Sequence, residues 1–339
     1  MKQKNKKVYI LGQEGTGWSI DKDRHYTQKA IEHIDGYEIT NNIFNADIIY
    51  AIWWNKLLTM PFKIFNIFFK KKIIATITND LSHQENMAKK LIDKVDIFVY
   101  ASSKQKNVLE KLGVTSEKLI FNPFYVDENI FNKLDITKQE ICNMLNIDYQ
   151  VIENKVLIGS FQRDSLGSDL TQPKWQKDPD ILIDIMKLLD KNKYLLLLAG
   201  PRRHYVIEEC KKYDINYIFV GDESYIKDKK DDINSNGLPI EKMPYLYNLT
   251  DIYIVSSKSE GGPKAIPESL LCNTKVISTD VGFASDLLDK QYIFTSPEEA
   301  TNKIDKLQES GEQKSKVNEF YSSELFQKRI EDILHKVAK

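Results

Sequence analysis

Short apolar runs rich in branched and aromatic residues, separated by polar segments of helical period, constrain this chain more than any other feature. A first series reads "KVYILG" (7–12), "ADIIYAIWW" (46–54), "KIIATIT" (72–78), "DIFVYAS" (96–102) and "KLIFNPF" (118–124). A second reads "KVLIGSF" (155–161), "YLLLLAG" (194–200), "NYIFVG" (216–221), "DIYIVSS" (251–257) and "KVIST" (275–279). Several lack the alternation of a half-exposed strand and read as strands covered on both faces, as in a parallel sheet. Helical stretches such as "HQENMAKKLIDKV" (83–95) and "DPDILIDIMKLLDKN" (178–192) fall between them. Strand and helix alternating in two series predict two doubly wound α/β domains.

The polar, strand-poor segment 125–155 separates the two series, and we divide the chain into 1–150, 151–317 and a terminal helical stretch, 318–339. A length of 339 residues suits two domains, and a hydrophobic share of 42% is enough for two cores. The formal net charge of −1 argues against a general grip on nucleic acid. Cys142, Cys210 and Cys272 lie far apart, match no metal spacing and fit a reducing compartment. The basic start "MKQKNKKVYILGQEG" has too short an apolar run for a signal segment, and no run approaches the roughly 20 apolar residues of a membrane span. A cytoplasmic location is the expectation. The stretch "KDKKDDINSNGLP" (227–239) reads as a mobile loop.

The stretch least explained by packing is "SKSEGGPKAIPESL" (257–270), which follows the strand "DIYIVSS". In open α/β sheets ligands collect beyond the carboxyl ends of the strands, which is where Glu260 belongs. Gly261 and Gly262 let backbone N–H groups approach a ligand closely. Pro263 suits a first helical turn, whose unpaired donors favour a phosphate. Glu268 falls on that helix, and a carboxylate accepts from two hydroxyls of a sugar diol. A ligand with sugar, phosphate and ribose would satisfy all of these at once. The bland alternative is a pair of solvated acids flanking a helix.

Glu260, seven residues and Glu268 resemble the E-x7-E motif of GT-B glycosyltransferases of the family 4 type. "SSKSEGGPKAIPESLLCNTKVISTDVG" is similar to that family's strand, loop, helix and following strand. "NPFYVDENIF" (122–131) resembles its interdomain turn, and "LYNLTDIYIVSS" (246–257) the approach to its strand. The resemblance covers about 115–290 and is most specific in 256–268. It implies two Rossmann-like domains facing each other across a cleft, acceptor on the first and donor on the second, with the last helix crossing back to the first.

The resemblance also implies an Arg and a Lys on the donor diphosphate, in "IGSFQRDSLGSDLTQPKWQKDPDILIDI" (158–185). Arg163 and Lys177 are the candidates, with Lys174 a rival for the lysine role, in a loop longer than the family usually has. A guanidinium binds two phosphate oxygens and a lysine supplies a point charge, which suits a leaving group that gains charge. A solvated basic loop is the alternative. Ser160, Gly261, Gly262, Pro263, Lys264 and Glu268 complete the implied donor set, with Glu260 on the transferred sugar and Glu268 on the ribose. Asp178-Pro179-Asp180 and Asp21-Lys22-Asp23 fit a metal-binding D-x-D pattern but read as helix-flanking acids, so no metal and no other cofactor is expected.

Three further stretches keep two readings each. In "LGQEGTGWSIDKDRHY" (11–26), Gly15, Gly17 and Trp18 belong either to the family's glycine-rich loop or to a plain strand-to-helix turn. Asn79 and His83 either touch a sugar or belong to a helix cap made by Asn79, Asp80 or Ser82. Arg202, in "AGPRRHY", either approaches the donor or is a surface residue. Beside these, "LLTMPFKIFNIFFKKK" (57–72) suits an interfacial helix on an anionic leaflet or a buried helix.

The resemblance implies transfer of a sugar from a UDP-sugar, or next a GDP-sugar, to a saccharide or lipid-linked acceptor in bacterial-type surface glycan synthesis, with retention of configuration. Two rivals stand beside it. One is a nucleotide-sugar epimerase or hydrolase of the same fold. The other is a non-catalytic sugar-nucleotide-binding subunit of a polysaccharide assembly complex.

Overall fold

The computed structural model describes residues 5–15, 17, 19–59, 62, 69–309, 311 and 313–338. The chain forms two compact units, Met1–Tyr125 with Phe320–Lys339, and Val126–Glu319.

The first unit is built on six parallel strands: β1 (Lys6–Leu11), β2 (Tyr37–Ile39), β3 (Ile48–Ala51), β4 (Lys72–Thr76), β5 (Ile97–Tyr100) and β6 (Leu119–Phe121). Their spatial order is β2-β1-β3-β4-β5-β6. Successive side chains alternate between two covered faces, as the unalternating apolar runs require. Val8, Ile10, Ile48, Tyr50 and Ile74 meet Ala30 and Ile31 of helix Ser19–Glu32, and Ile330, Ile333 and Leu334 of helix Ser323–Ala338. Ile49, Ala51, Ile73, Ala75 and Phe98 face the other way, onto Trp54, Leu91 and Leu109. The terminal helix therefore completes the first unit's core, and truncating its fully buried Leu334 to Ala would cost about 2–5 kcal/mol.

The second unit holds five parallel strands: β7 (Val156–Ser160), β8 (Tyr194–Ala199), β9 (Tyr217–Val220), β10 (Ile252–Val255) and β11 (Lys275–Ser278). The order is β11-β10-β7-β8-β9, so the winding reverses between β7 and β10. Leu157, Leu195 and Leu197 pack against Leu246 and Leu249 and against Ile141, Cys142, Leu145 and Ile152. Helix Lys138–Leu145 starts at a reciprocal cap in which Glu140 accepts from Thr137 N–H and Thr137 Oγ1 accepts from Glu140 N–H. Residues 126–150, which the sequence division placed in the first domain, thus pack in the second unit, and the division falls after Tyr125. The polar surface of that short amphipathic helix is what makes the segment look like a linker.

Every apolar run of the sequence series forms a strand, and β2 is the addition. It is three residues long at the sheet edge, too short to leave a pattern. Leu57 and Phe62 are buried in the first unit, while 60, 61 and 63–68 lie outside the described residues, and the interfacial-helix reading of 57–72 falls mostly on them. No helix among the described residues is long and apolar enough to cross a membrane. The stretch 227–239 is tied to the second unit's interior through Asp232. That fully buried carboxylate accepts from Arg202 N–H at 2.7 Å and Asn236 Nδ2 at 2.7 Å.

Candidate active site

The carboxyl ends of β7 and β10 are adjacent at the point where the strand order reverses, so the segments that follow them share one edge of the sheet. β7 ends at Ser160 and is followed by Phe161, Gln162 and Arg163; β10 ends at Val255 and is followed by Ser256, Ser257 and Glu260. Polar side chains knit the two segments to the turn before helix Pro179–Leu188. Gln162 Nε2 donates to Ser256 Oγ at 3.1 Å and to the Lys177 carbonyl at 3.3 Å. Ser256 Oγ donates to that same carbonyl at 3.0 Å. The Gln176 carbonyl accepts from the N–H groups of Lys258 and Ser259 at 2.9 and 3.2 Å.

This scaffold brings the Lys177 ammonium into contact with Glu260 Oε1. Their side chains are 20% and 17% exposed, so the pair is shielded but open to a ligand. The Ser257 hydroxyl stands 2.9 Å from the same Glu260 oxygen and 3.2 Å from Gln162 Oε1, with one proton to serve the two acceptors. Lys174 lies in the same positive field. Burial first, then Arg163 and Lys177, push its ammonium down to about 8, with Glu260 pulling the other way. Arg163, Lys177 and Glu260 therefore all act electrostatically on Lys174.

Arg163 and Lys174 are carried by a hairpin that a buried ion pair anchors. Ser165 and Pro173 form an antiparallel bridge, and Lys174 N–H donates to the Asp164 carbonyl at 2.6 Å. Asp164 and Arg203 are 1% and 0% exposed, with Arg203 Nε 2.9 Å from Asp164 Oδ2, a charge contact without hydrogen-bond alignment. Arg203 Nη2 donates to Ser160 Oγ at 3.3 Å, so the candidate Ser160 is fully buried and bound inward. Desolvation raises the Asp164 carboxyl to about 6, against the pull of Arg203. Arg202 is not an open cation: it makes a two-pronged bond to Asp231 at 2.7 and 3.0 Å.

Gly261 and Pro263 are buried, and the helix carrying Glu268 begins at Ala265, after Lys264 in the N-cap place. Pro263 therefore precedes the helix instead of opening its first turn; Pro267 is the proline inside. The loop is held close to the turn after β11, where a Cβ on Gly282 (φ +52°) would stand 2.8 Å from Gly262 Cα and from Pro263 Cδ. Glu268 Oε2 accepts from the Tyr247 hydroxyl at 2.7 Å.

The acidic pairs are engaged locally. Asp178 is 3% exposed, sits in the N-cap place without a capping bond, and pairs with Lys258 at 3.0 Å; Asp180 accepts from the Tyr205 hydroxyl. Asp21 accepts from Glu14 N–H at 2.7 Å and Gly17 N–H at 2.8 Å. Among the described residues no cluster of three or more His, Cys, Asp or Glu is placed to hold a metal ion.

In the first unit, Gly15 and Gly17 take positive φ (+74° and +72°) in the loop after β1, beside the reversal between β1 and β3. Trp18 lies outside the described residues. Asp80 caps the turn Leu81–His83 by accepting from Ser82 N–H, and the His83 side chain is 60% exposed. Asn79 is bonded to Thr78 and to Gln84. Sequence reasoning missed Gln162, Ser256, Ser257, Gln176 and Tyr247. The Ser pair and Gln162 sit directly after predicted strands, and polarity at a strand's carboxyl end was the available signal.

Residues 171–321 match the model of the family glycosyl transferases group 1. A comparison with curated protein sequences gives no match. Among solved structures, HepE of Anabaena in complex with UDP and glucose aligns with a TM-score of 0.73 at 14% identity, covering 98% of this chain and 100% of that one. A glycosyltransferase from Rickettsia africae gives 0.67 at 15% identity, covering 99% of each. The sucrose-phosphate synthase of Thermosynechococcus elongatus gives 0.65 at 10% identity, covering 98% and 97%. At these identities the likeness is one of fold, and the fold is GT-B. The matched segment spans the Glu260–Glu268 stretch and most of the second unit, which is therefore similar to the glycosyl transferases of group 1.

Proposed function

We propose that the protein transfers a sugar from a nucleoside-diphosphate-sugar to a saccharide or lipid-linked acceptor, with retention of anomeric configuration. The observation that carries this reading is the Lys177–Glu260 contact beside Arg163 and Lys174 at the strand reversal. A cationic group next to a carboxylate suits a ligand that joins a diphosphate to a sugar. On binding, the pair exchanges partners: phosphate oxygens take Lys177 and Arg163, and sugar hydroxyls take Glu260. Gly261 and Gly262 face the phosphate or sugar, and Glu268 accepts from the ribose.

The bond from the anomeric carbon to the diphosphate breaks while an acceptor oxygen bonds that carbon from the same face. The acceptor's proton passes to the departing phosphate, so no enzyme nucleophile is needed. Lys177 and Arg163 stabilise the charge that develops on the leaving group, and fixed charges of this kind usually lower such a barrier more than any other feature of a site. We assign the acceptor to the first unit, whose Gly15–Gly17 loop closes β1, and the surface-glycan role, the cytoplasmic location and independence of metal belong to the same proposal. UDP is the favoured carrier, supported by the UDP held in the fold-related HepE.

The test is thermal stabilisation by UDP-, GDP-, ADP- and CMP-sugars in EDTA, on wild type and Lys177→Ala. A shift with one nucleotide class, lost in the variant, supports the reading. No shift with any of them, with or without magnesium, overturns it, and a shift without turnover on any acceptor would mark a non-catalytic sugar-nucleotide-binding subunit. Rapid turnover of donor alone would instead mark an epimerase or hydrolase.

A further inference from the structure

The Tyr247 hydroxyl lies inside the second unit with one hydrogen-bond partner in view, Glu268 Oε2 at 2.7 Å. Tyr247 belongs to helix Met243–Leu249 and Glu268 to helix Ala265–Leu271. The tyrosine is 1% exposed, and its ring packs among Phe131, Phe161 and Tyr253 at centroid separations of 6.0, 5.3 and 5.4 Å. A phenylalanine would fill the same space and make the same ring contacts. The hydroxyl is therefore an extra polar atom in an aromatic cluster, and a buried hydroxyl is tolerated only with a partner.

Burial, and then the charge of Glu268, hold this phenol well above the ordinary tyrosine range. It keeps its proton at any working pH and stays a donor. The two helices are joined a second time, because Thr274 Oγ1 donates to the Tyr247 carbonyl at 2.6 Å and Thr274 N–H donates to the Ser269 carbonyl at 2.9 Å. A glutamate side chain has several free torsions, and a carboxylate that must meet two hydroxyls gains from having one oxygen fixed beforehand.

We propose that Tyr247 is a positioning residue for nucleotide recognition: its hydroxyl holds one oxygen of Glu268 so that the carboxylate meets the ribose hydroxyls of a nucleoside diphosphate in a single orientation. This rests on the donor reading above, and it adds a residue that no ligand touches. Tyr247 sets selectivity for ribose over deoxyribose and leaves the chemical step alone.

The experiment is calorimetric titration of wild type, Tyr247→Phe, Glu268→Gln and the double variant with UDP, 2′-deoxy-UDP and 3′-deoxy-UDP, with melting temperatures as the check on folding. Tyr247→Phe should weaken UDP about tenfold and at least one deoxy analogue hardly at all, shrinking the preference for ribose. The double variant should bind UDP no more weakly than Glu268→Gln alone. With turnover, donor KM should rise by a similar factor and kcat stay within about twofold. Equal weakening of UDP and both deoxy analogues would reduce Tyr247 to a packing residue, and an undiminished ribose preference would overturn the proposal outright. Wild type that binds UDP without preferring ribose removes the role of Glu268, and with it this one. Wild type that binds neither UDP, GDP nor ADP overturns the donor reading itself, a failure distinct from the others.

Discussion

Lys177 and Glu260 are 83 positions apart in sequence, yet the ammonium of one touches a carboxylate oxygen of the other. Each is the other's partner, and on the proposed reading a diphosphate-sugar supplies substitutes to both. Removing either takes away its partner's opposite charge, which makes the two substitutions parts of one event, although Glu260 keeps the Ser257 hydroxyl. We expect Lys177→Ala and Glu260→Gln each to lower kcat/KM by about 10²–10³. The double variant should lose far less than the product of the two. Steady-state kinetics on the four proteins reads this directly, and strictly multiplicative losses would show that the two act independently.

Gly282 makes a second, purely steric prediction. Its φ is +52°, and a methyl group at its Cα would stand 2.8 Å from Gly262 Cα and Pro263 Cδ, which leaves no room for alanine. Gly282→Ala should destabilise the protein by about 1–3 kcal/mol, from backbone strain and displacement of the facing loop. Because that loop leads to Glu268, the loss should also appear as weaker nucleotide binding. A melting temperature and an affinity both unchanged would mean that the loop relaxes without consequence.

The strand series and the Glu260–Glu268 segment were legible in the sequence because burial on both faces and a glycine pair after a strand leave local traces. What joins them was not. The Lys177–Glu260 contact, the Gln162–Ser256–Ser257 braid and the Tyr247–Glu268 bond each link residues more than 20 positions apart or depend on which strands are neighbours. Spacing along the chain carries no record of that order. The entry to the second unit was misplaced for a related reason: Ile141, Cys142 and Leu145 form a narrow stripe on one short helix, and their neighbours Leu157, Leu195 and Leu197 arrive only with later strands. Arg202 read as a donor contact or a surface residue and Asp178 as a helix-flanking acid, and the ion-pair partners they have, Asp231 and Lys258, lie far along the chain.

Lys174 yields a pH prediction. Burial and its cationic neighbours lower its ammonium to about 8, so below that pH it is charged and above it neutral. A bound diphosphate favours the charged form and raises the value again. Binding near pH 8–9 should therefore take up a proton, and donor affinity should fall as pH rises through about 8. Titration calorimetry in buffers of different ionisation enthalpy measures the uptake. Lys174→Arg should move the fall to higher pH, and a wild-type affinity flat from pH 7 to pH 9.5 would remove Lys174 from the phosphate site.

Asp164 and Arg203 lie beneath the hairpin that carries Arg163 and Lys174, and they give the last prediction. Both are almost wholly buried, so each charge depends on the other for compensation. Asp164→Ala leaves a buried guanidinium and should cost about 3–5 kcal/mol, while replacing both residues by apolar ones of similar size should cost much less. The pH dependence has a definite sign. The folded Asp164 carboxyl sits at about 6, above its ordinary 3.8, because desolvation outweighs the pull of Arg203. Its contribution to stability is therefore fully present below about 3.8 and is lost as pH rises through about 6. Against Asp164→Asn, wild type should lose relative stability between pH 4 and pH 6.5, which paired denaturant titrations across that window will register. The opposite slope would mean that the ion pair, not desolvation, governs this carboxyl.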